Sequence, residues 1–332
     1  MYIIAEIGVN HNGSVELAEK LIDAAARAGA HAVKFQHFKA DKLASLETPK
    51  VKYQMRTSDP AESHHAMLKN LEISVEIESL AIRKCKELRI DFISTPYDPD
   101  AADHLISLGC KFIKTASADI VDHRIHKKIA NSDARALIAT GMATLDEISS
   151  CMAIYEKACK KPVLLHCVSN YPCSQESLNL RVIVELARKF NVDIGFSDHS
   201  VGHSAATIAY SLGASFFEKH FTLDKGMPGP DHLASSTPSE FFDLIQALKA
   251  TELVLGSPEK KVQLEEMQMK EVSRKSACTS REIQVGEVIT EECITMMRPG
   301  GGICGSSYFD LIGRKAVKVL PKGVQLKLSD IE

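Results

Sequence analysis

The sequence predicts a (β/α)8 barrel, an α/β TIM barrel, followed by a small β-rich C-terminal domain, and three observations carry that prediction. Eight apolar, strand-like runs are each followed by a stretch with helical apolar spacing. Polar side chains gather at the downstream end of those runs, the end that converges on one mouth in such a barrel. The chain has 332 residues, more than the roughly 250 of a lone barrel, and the surplus lies at the C-terminus.

The runs are 3–6, 32–36, 91–95, 112–117, 137–140, 163–166, 194–199 and 216–220. After the first, Asn10-His11-Asn12-Gly13 makes a turn, and Ser14 can cap a helix that ends at Gly29. Helical spacing recurs at 75–88, 101–108, 124–131, 145–158, 179–190, 203–212 and 238–255. Such alternation argues for parallel strands and excludes most all-α and all-β folds. Residues 40–73 form a polar insertion too long for an ordinary βα loop, either a substrate-facing lid or a surface elaboration. Gly256-Ser257-Pro258 stops the last barrel helix. The expected organisation is therefore a catalytic barrel over 1–256, a charged and partly helical linker over 257–276, and a β-type domain over 277–332. A domain that small buries little surface alone and should pack on a barrel, its own or a neighbour's.

A net charge of −3 gives no global attraction to nucleic acid or to an anionic membrane, so binding of an anionic substrate must come from a local cluster of cations. Nine cysteines without a C-x-x-C pair suit reduced thiols in a cytoplasmic protein better than a disulfide framework. The opening Met-Tyr-Ile-Ile-Ala-Glu lacks a basic stretch and reads as a strand rather than a signal peptide. No apolar run approaches the roughly 18 residues of a membrane span.

His199 and His220 end the seventh and eighth runs, which are neighbours in a closed barrel, so both imidazoles can reach one ion. Alternation puts Glu218 and His220 on one face of their strand and Phe217, Lys219 and Phe221 on the other. Two imidazoles with oxygen ligands suit a divalent first-row ion such as Mn2+ or Zn2+, with Asp198 and Asp231-His232 close by in the sequence. Lys34, Thr95, Lys114 and Ser117 end runs two to four. Two lysines inside a barrel imply an anionic ligand, with phosphate the better fit beside hydroxyls, or else internal carboxylates such as Glu6 and Glu218. Glu6 can bind hydroxyls or act as a base, and Asp231 follows the last strand; a purely structural role, such as capping, is open to either. Arg298-Pro299-Gly300-Gly301-Gly302 is a glycine-rich turn with a guanidinium but lacks the strand-to-helix setting of a P-loop.

Nine motifs then stand in a fixed order: Ala5-Glu6-Ile7-Gly8-Val9-Asn10-His11-Asn12-Gly13, Val33-Lys34-Phe35-Gln36, Ser94-Thr95-Pro96, Lys114-Thr115-Ala116-Ser117, Thr140-Gly141-Met142, His166-Cys167-Val168-Ser169-Asn170-Tyr171-Pro172, Gly195-Phe196-Ser197-Asp198-His199, Glu218-Lys219-His220-Phe221 and Gly229-Pro230-Asp231-His232. In these the chain closely resembles the sialic acid synthase family, the N-acetylneuraminate or nonulosonate synthases. The tail, with Arg298-Pro299-Gly300 and Ile312-Gly313-Arg314-Lys315-Ala316, resembles the antifreeze-like (SAF) domain that ends those enzymes. The resemblance implies a metal-dependent transferase that condenses phosphoenolpyruvate with N-acetylmannosamine or a related 2-acetamido sugar, with C–O cleavage releasing phosphate. A legionaminate-type synthase acting on a 6-deoxy diacetamido sugar is the alternative within the family.

By motif position, His199 and His220 would hold Mn2+ or another divalent ion, which would polarise the sugar aldehyde as a Lewis acid. Lys34, Thr95, Lys114, Ser117 and Ser169 would surround phosphoenolpyruvate, and Glu6, Tyr171 and Asp231 would face the sugar. Glu218 would stabilise positive charge developing at the reacting carbon. The family's tail reaches across a domain-swapped homodimer, which would bring Arg298 to the partner's sugar. Ala139 stands where Ser is frequent, and Ser169 where some members have Asn, so one phosphate contact is either missing or replaced by backbone. Two rival readings are a Schiff-base aldolase built on Lys114 and a carbohydrate-binding or ice-interacting protein built on the tail; the first needs no metal, and the second needs no cations inside a barrel.

Overall fold

Alternation along each strand sorts side chains onto two faces, and here both faces are buried. In the computed structural model, which describes residues 1–50, 55 and 61–332, eight parallel strands close into a ring in sequence order. They are β1 (Tyr2–Gly8), β2 (Ala32–His37), β3 (Asp91–Pro96), β4 (Phe112–Thr115), β5 (Arg135–Ala139), β6 (Val163–His166), β7 (Ile194–Asp198) and β8 (Phe216–His220). Strand β1 closes the ring by pairing with both β2 and β8. The barrel predicted from the sequence is the barrel observed.

Ile4, Ala32, Ile93, Phe112, Leu137, Val163, Leu165 and Phe216 form a separate apolar cluster that fills the lower barrel interior. Two residues further along β1, β2, β4 and β8, the same face carries Glu6, Lys34, Lys114 and Glu218. The barrel is thus an oily plug with a charged top layer. The opposite strand faces, with Ile3, Val33, Ile113, Ile138, Leu164, Phe196 and Phe217, pack on the helices in the largest core.

Local signals set the helix boundaries. Ser14 Oγ accepts from Leu17 N to open Val15–Ala28, and Gly29 closes it at φ +98°, a left-handed conformation that favours glycine. Thr144 with Glu147, and Thr237 with Glu240, form capping boxes on Leu145–Lys157 and Pro238–Leu255. Two helices start elsewhere than spacing alone suggests. Asp98 caps a helix that opens on Pro99, since proline suits the first turn. Asn179 takes φ +45°, and the helix after β6 begins only at Val182.

Part of the 40–73 insertion, residues 51–54 and 56–60, lies outside the described residues. Its helices Ala40–Leu43 and His64–Leu71 contribute Ala40, Met67, Leu68 and Leu71 to a small core with Val9 and Phe38.

The chain divides into two compact units, Met1–Gly256 and Ser257–Glu332. The second carries a short helix, Met267–Ser273, and an antiparallel pair, β9 (Ser276–Thr279) with β10 (Ile294–Met297). Its core is made by Ala277, Ile283, Ile289, Cys293, Ile294, Ile303, Leu311, Ala316, Leu320, Leu326 and Ile331. All nine cysteines are free thiols. Among the described residues no helix is long and apolar enough to cross a membrane.

Candidate active site

The C-terminal ends of the strands open into a cavity of about 880 Å3. Glu6, Lys34, Thr95, Lys114, Ser117, Ser169, Tyr171, His199, Glu218, His220 and Asp231 all line it. Each was singled out from the sequence, and the fold brings all of them together. Arg298 belongs to the second unit, where it is exposed.

The floor is an ion-pair network. Lys34 Nζ lies 2.8 Å from Glu6 Oε2 and 3.8 Å from Glu218 Oε2, and it donates to Thr95 Oγ1 at 3.1 Å. Lys114 Nζ lies 3.2 Å from Glu218 Oε1, which also accepts from Ser197 Oγ at 2.9 Å. Strand register explains the meeting, since Glu6 sits opposite Lys34 on one side and His220 on the other, and Ser197 sits opposite Glu218. Gln36 Nε2 donates to Glu6 Oε1 at 2.9 Å. At Gly8 the register slips and φ is +55°; a Cβ there would lie 3.0 Å from both the Gln36 amide and the Glu6 carboxylate, so glycine keeps this pair intact.

Burial opposes every charge in this layer, and the partners decide which charges survive. For Lys34, burial pulls downward, but Glu218 and Glu6 outweigh it and hold the ammonium above the ordinary lysine range. For Glu218, burial pushes upward, but Lys114, Lys34 and the Ser197 hydroxyl hold the carboxylate well below its usual range. Glu6 goes the other way, raised by burial and by Glu218 despite Lys34. Asp231 is pushed up to about 7 by burial and then by Glu6.

The two imidazoles stand together, with ring centroids 5.7 Å apart. Tyr171 packs on both, at 4.1 Å from His199 and 5.5 Å from His220. His199 Nδ1 donates to Val168 O at 2.8 Å, which leaves the Nε2 lone pair facing inward, 3.4 Å from Ser197 Oγ. His220 Nδ1 is buried without a hydrogen bond, 3.8 Å from Asp231 Oδ2. Burial lowers His199 to about 4; burial and the neighbouring His199 take His220 well below its ordinary value. Both are therefore neutral at pH 7. A buried, orphaned imidazole nitrogen beside a second oriented one is what a divalent ion would satisfy. Charge points the same way: even with Glu6 and Asp231 shifted toward protonation, two lysines against the ionised Glu218 leave at most one net positive charge for a multiply charged anion.

Asp198 and His232 do not join this pair. The Asp198 carboxylate accepts from Ser200 and pairs with Lys219 at 2.7 Å on the outer strand face, and His232 Nδ1 bonds Thr222 Oγ1 at 2.6 Å.

A cradle of small groups lies beside the lysines. Gly141 N donates to Ser117 Oγ at 3.1 Å, and a Cβ on Gly141 would fall 2.3 Å from Ser169 Oγ, 2.8 Å from Ser117 Oγ and 2.9 Å from Cys167 Sγ. Two hydroxyls and a thiol thus converge on Gly141.

Sequence reasoning missed one wall. Val9, Phe38, Leu43, Met67, Leu68 and Leu71 flank the cavity with apolar surface, and the length of the insertion was the only signal that pointed there.

Fold and site together define a barrel enzyme whose mouth sets two buried lysines and a hydroxyl cradle beside a pair of metal-competent imidazoles. Residues 21–260 match the NeuB family and residues 274–332 match the SAF domain, so the chain belongs to the NeuB family. It is 40% identical to the N,N'-diacetyllegionaminic acid synthase of Legionella pneumophila, across 100% of this chain and 94% of that protein. It is 39% identical to the N,N'-diacetyllegionaminic acid synthase of Campylobacter jejuni, across 95% of this chain and 96% of that one. A crystal structure of N-acetylneuraminic acid (sialic acid) synthetase from Leptospira borgpetersenii in complex with citrate superposes with a TM-score of 0.72 at 31% identity, covering 81% of this chain and 89% of that chain.

Proposed function

We propose that this protein condenses phosphoenolpyruvate with the open-chain aldehyde of a 2-acetamido sugar, with water adding at C2 and C–O cleavage following, to give a nine-carbon 2-keto acid and inorganic phosphate. The observation that carries the reading is the shared cavity, whose lining sets Lys34, Lys114 and the hydroxyls of Ser117 and Ser169 together with His199 and His220. Lys34 and Lys114 bind and orient the anion, chiefly by positioning, and Ser117, Ser169 and Thr95 receive its phosphate and carboxylate oxygens. Glu218, kept ionised by both lysines, stabilises positive charge as it develops at C2 of the enol. Asp231 and Glu6, both shifted toward the protonated form, hold sugar hydroxyls and can exchange protons with them. His199 and His220 would hold Mn2+, or another divalent ion, which supplies Lewis-acid polarisation and the positive charge the floor lacks. Lys114 is ion-paired rather than set in the apolar surroundings that activate a Schiff-base lysine, which speaks against the aldolase. We further place the enzyme in the cytoplasm as a domain-swapped homodimer in which Arg298 of one protomer meets the sugar held by the other.

The apolar wall and the names of the two relatives favour a second, narrower reading. A 6-deoxy sugar with two acetamido groups presents methyl groups where N-acetylmannosamine presents a hydroxyl, and the flank of Phe38, Met67, Leu68 and Leu71 suits the former. The test is phosphate release from phosphoenolpyruvate with each purified sugar. A kcat/KM at least tenfold higher for the diacetamido sugar supports the legionaminate-type reaction, and the reverse ratio returns the choice to N-acetylmannosamine. No phosphate release with any 2-acetamido sugar, or a borohydride-trapped pyruvate adduct on Lys114, ends the proposal.

A further inference from the structure

We propose that the helix layer outside the barrel carries a second cation site, formed by His37, Glu78 and His104, for a first-row divalent ion of the Zn2+ type. The three residues come from β2 and from the helices Val75–Leu88 and Pro99–Ser107. His37 alternates with Lys34 and Gln36 and so faces away from the mouth. Its Nε2 lies 2.6 Å from Glu78 Oε2, and His104 Nε2 approaches the same oxygen at 2.7 Å. All three ligand atoms fall within 4.8 Å of one another.

Two imidazoles and one carboxylate are a zinc donor set; the ligand atoms now stand at hydrogen-bond separations, and small side-chain rotations would open them to the roughly 3.3 Å edge of a tetrahedron about 2 Å from a common ion. The site also has its supporting shell. His37 Nδ1 is 2.6 Å from the buried Ser94 Oγ on β3, which fixes the ring and can accept the Nδ1 proton when Nε2 ligates. The edge of the Phe92 ring meets His37 at 6.4 Å and limits its rotation. A cavity of about 310 Å3 opens on the cluster, room for a water as fourth ligand and a path for the ion. The two lysines beside that cavity are themselves ion-paired, Lys39 with Glu72 and Lys42 with Asp100, so they leave Glu78 to the imidazoles. To ligate through Nε2 both imidazoles must be neutral with the proton on Nδ1, so the ion replaces the N–H groups that otherwise point at Glu78 and its binding weakens in acid. The ion would clip β2, the strand that carries Lys34 and Gln36, to two helices of the outer layer.

The mouth also has metal-binding imidazoles, so the test uses full-length protein carrying His199→Ala and His220→Ala, stripped with chelator. This protein is expected to take up one equivalent of Co2+ with the visible absorption of a four-coordinate site. Added Zn2+ should raise its melting temperature by roughly 5 °C. Adding His104→Ala or Glu78→Gln should abolish both responses. His104 is half exposed, so its variant keeps the test open should Glu78→Gln fail to fold. No Co2+ uptake by the double variant, or uptake unchanged by His104→Ala, would overturn the site and leave a hydrogen-bonded triad.

Discussion

Lys114 Nζ and Glu218 Oε1 meet 3.2 Å apart, with the two side chains 7% and 3% exposed. Each supplies the other's counter-charge where water cannot. Lys114→Met should therefore do two kinds of damage. Loss of the ammonium should lower kcat/KM for phosphoenolpyruvate by about a thousandfold or more, comparable to removing one preorganised charge from a dry site. It should also cost about 3 kcal/mol of stability, because Glu218 is left with Lys34 as its one remaining cationic partner. Steady-state kinetics and urea unfolding check the two; a variant with unchanged KM and kcat would remove Lys114 from the site.

Chelation should abolish turnover and Mn2+ should restore it. His220→Ala should remain inactive at moderate metal concentrations, since the buried Nδ1 that lacks a hydrogen bond is then gone. Full turnover in excess EDTA would exclude a metal role.

Gly141→Ala should fold, yet place a methyl group among Ser117, Ser169 and Cys167. The expected result is a KM for phosphoenolpyruvate raised at least tenfold with a smaller change in the sugar KM. An unchanged KM would move the phosphate elsewhere in the cavity.

Much of this site was readable in advance because strands alternate. Period two along β8 put Glu218 and His220 on one face, and the ends of β2 and β4 put Lys34 and Lys114 above them. The chemistry that depends on three dimensions was not readable. Asp198 precedes His199 and looks like a ligand, but the same alternation turns it outward to Lys219. The convergence of Ser117, Ser169 and Cys167 on Gly141 joins three βα loops. The apolar wall arises because residues of the insertion pack on Val9 and Phe38, a contact no local pattern announces. In Arg298, the relevant neighbour is expected to belong to a different protomer.

Acid should weaken the fold through its buried histidines. His126 is buried, bonded to Tyr155 Oη at 2.9 Å, and burial lowers it to about 4. Its unfolded value is near 6.5, so below that pH the unfolded chain takes up a proton the native one refuses. Stability is then lost as pH falls from about 6.5 toward 4, by about 2 kcal/mol for this group between pH 6.5 and 5. Asp119, raised to about 6 by burial and by Asp122, acts in the opposite sense below pH 6. The comparison is therefore between variants: His126→Gln should unfold with a shallower pH dependence than the parent in urea titrations at pH 7 and pH 5. Equal slopes would show that His126 titrates freely in the native state.

The pairing of β1 with β8 has a consequence for biogenesis. Tyr2–Glu6 leaves the ribosome ahead of the other barrel strands but finds one of its two partners only when Phe216–His220 follows. Until then the growing sheet has two open edges rich in Ile, Val and Phe, each a template for another nascent chain. Circular permutants that bring these two strands together in the sequence should refold faster and aggregate less, because the longest loop closure is then already made.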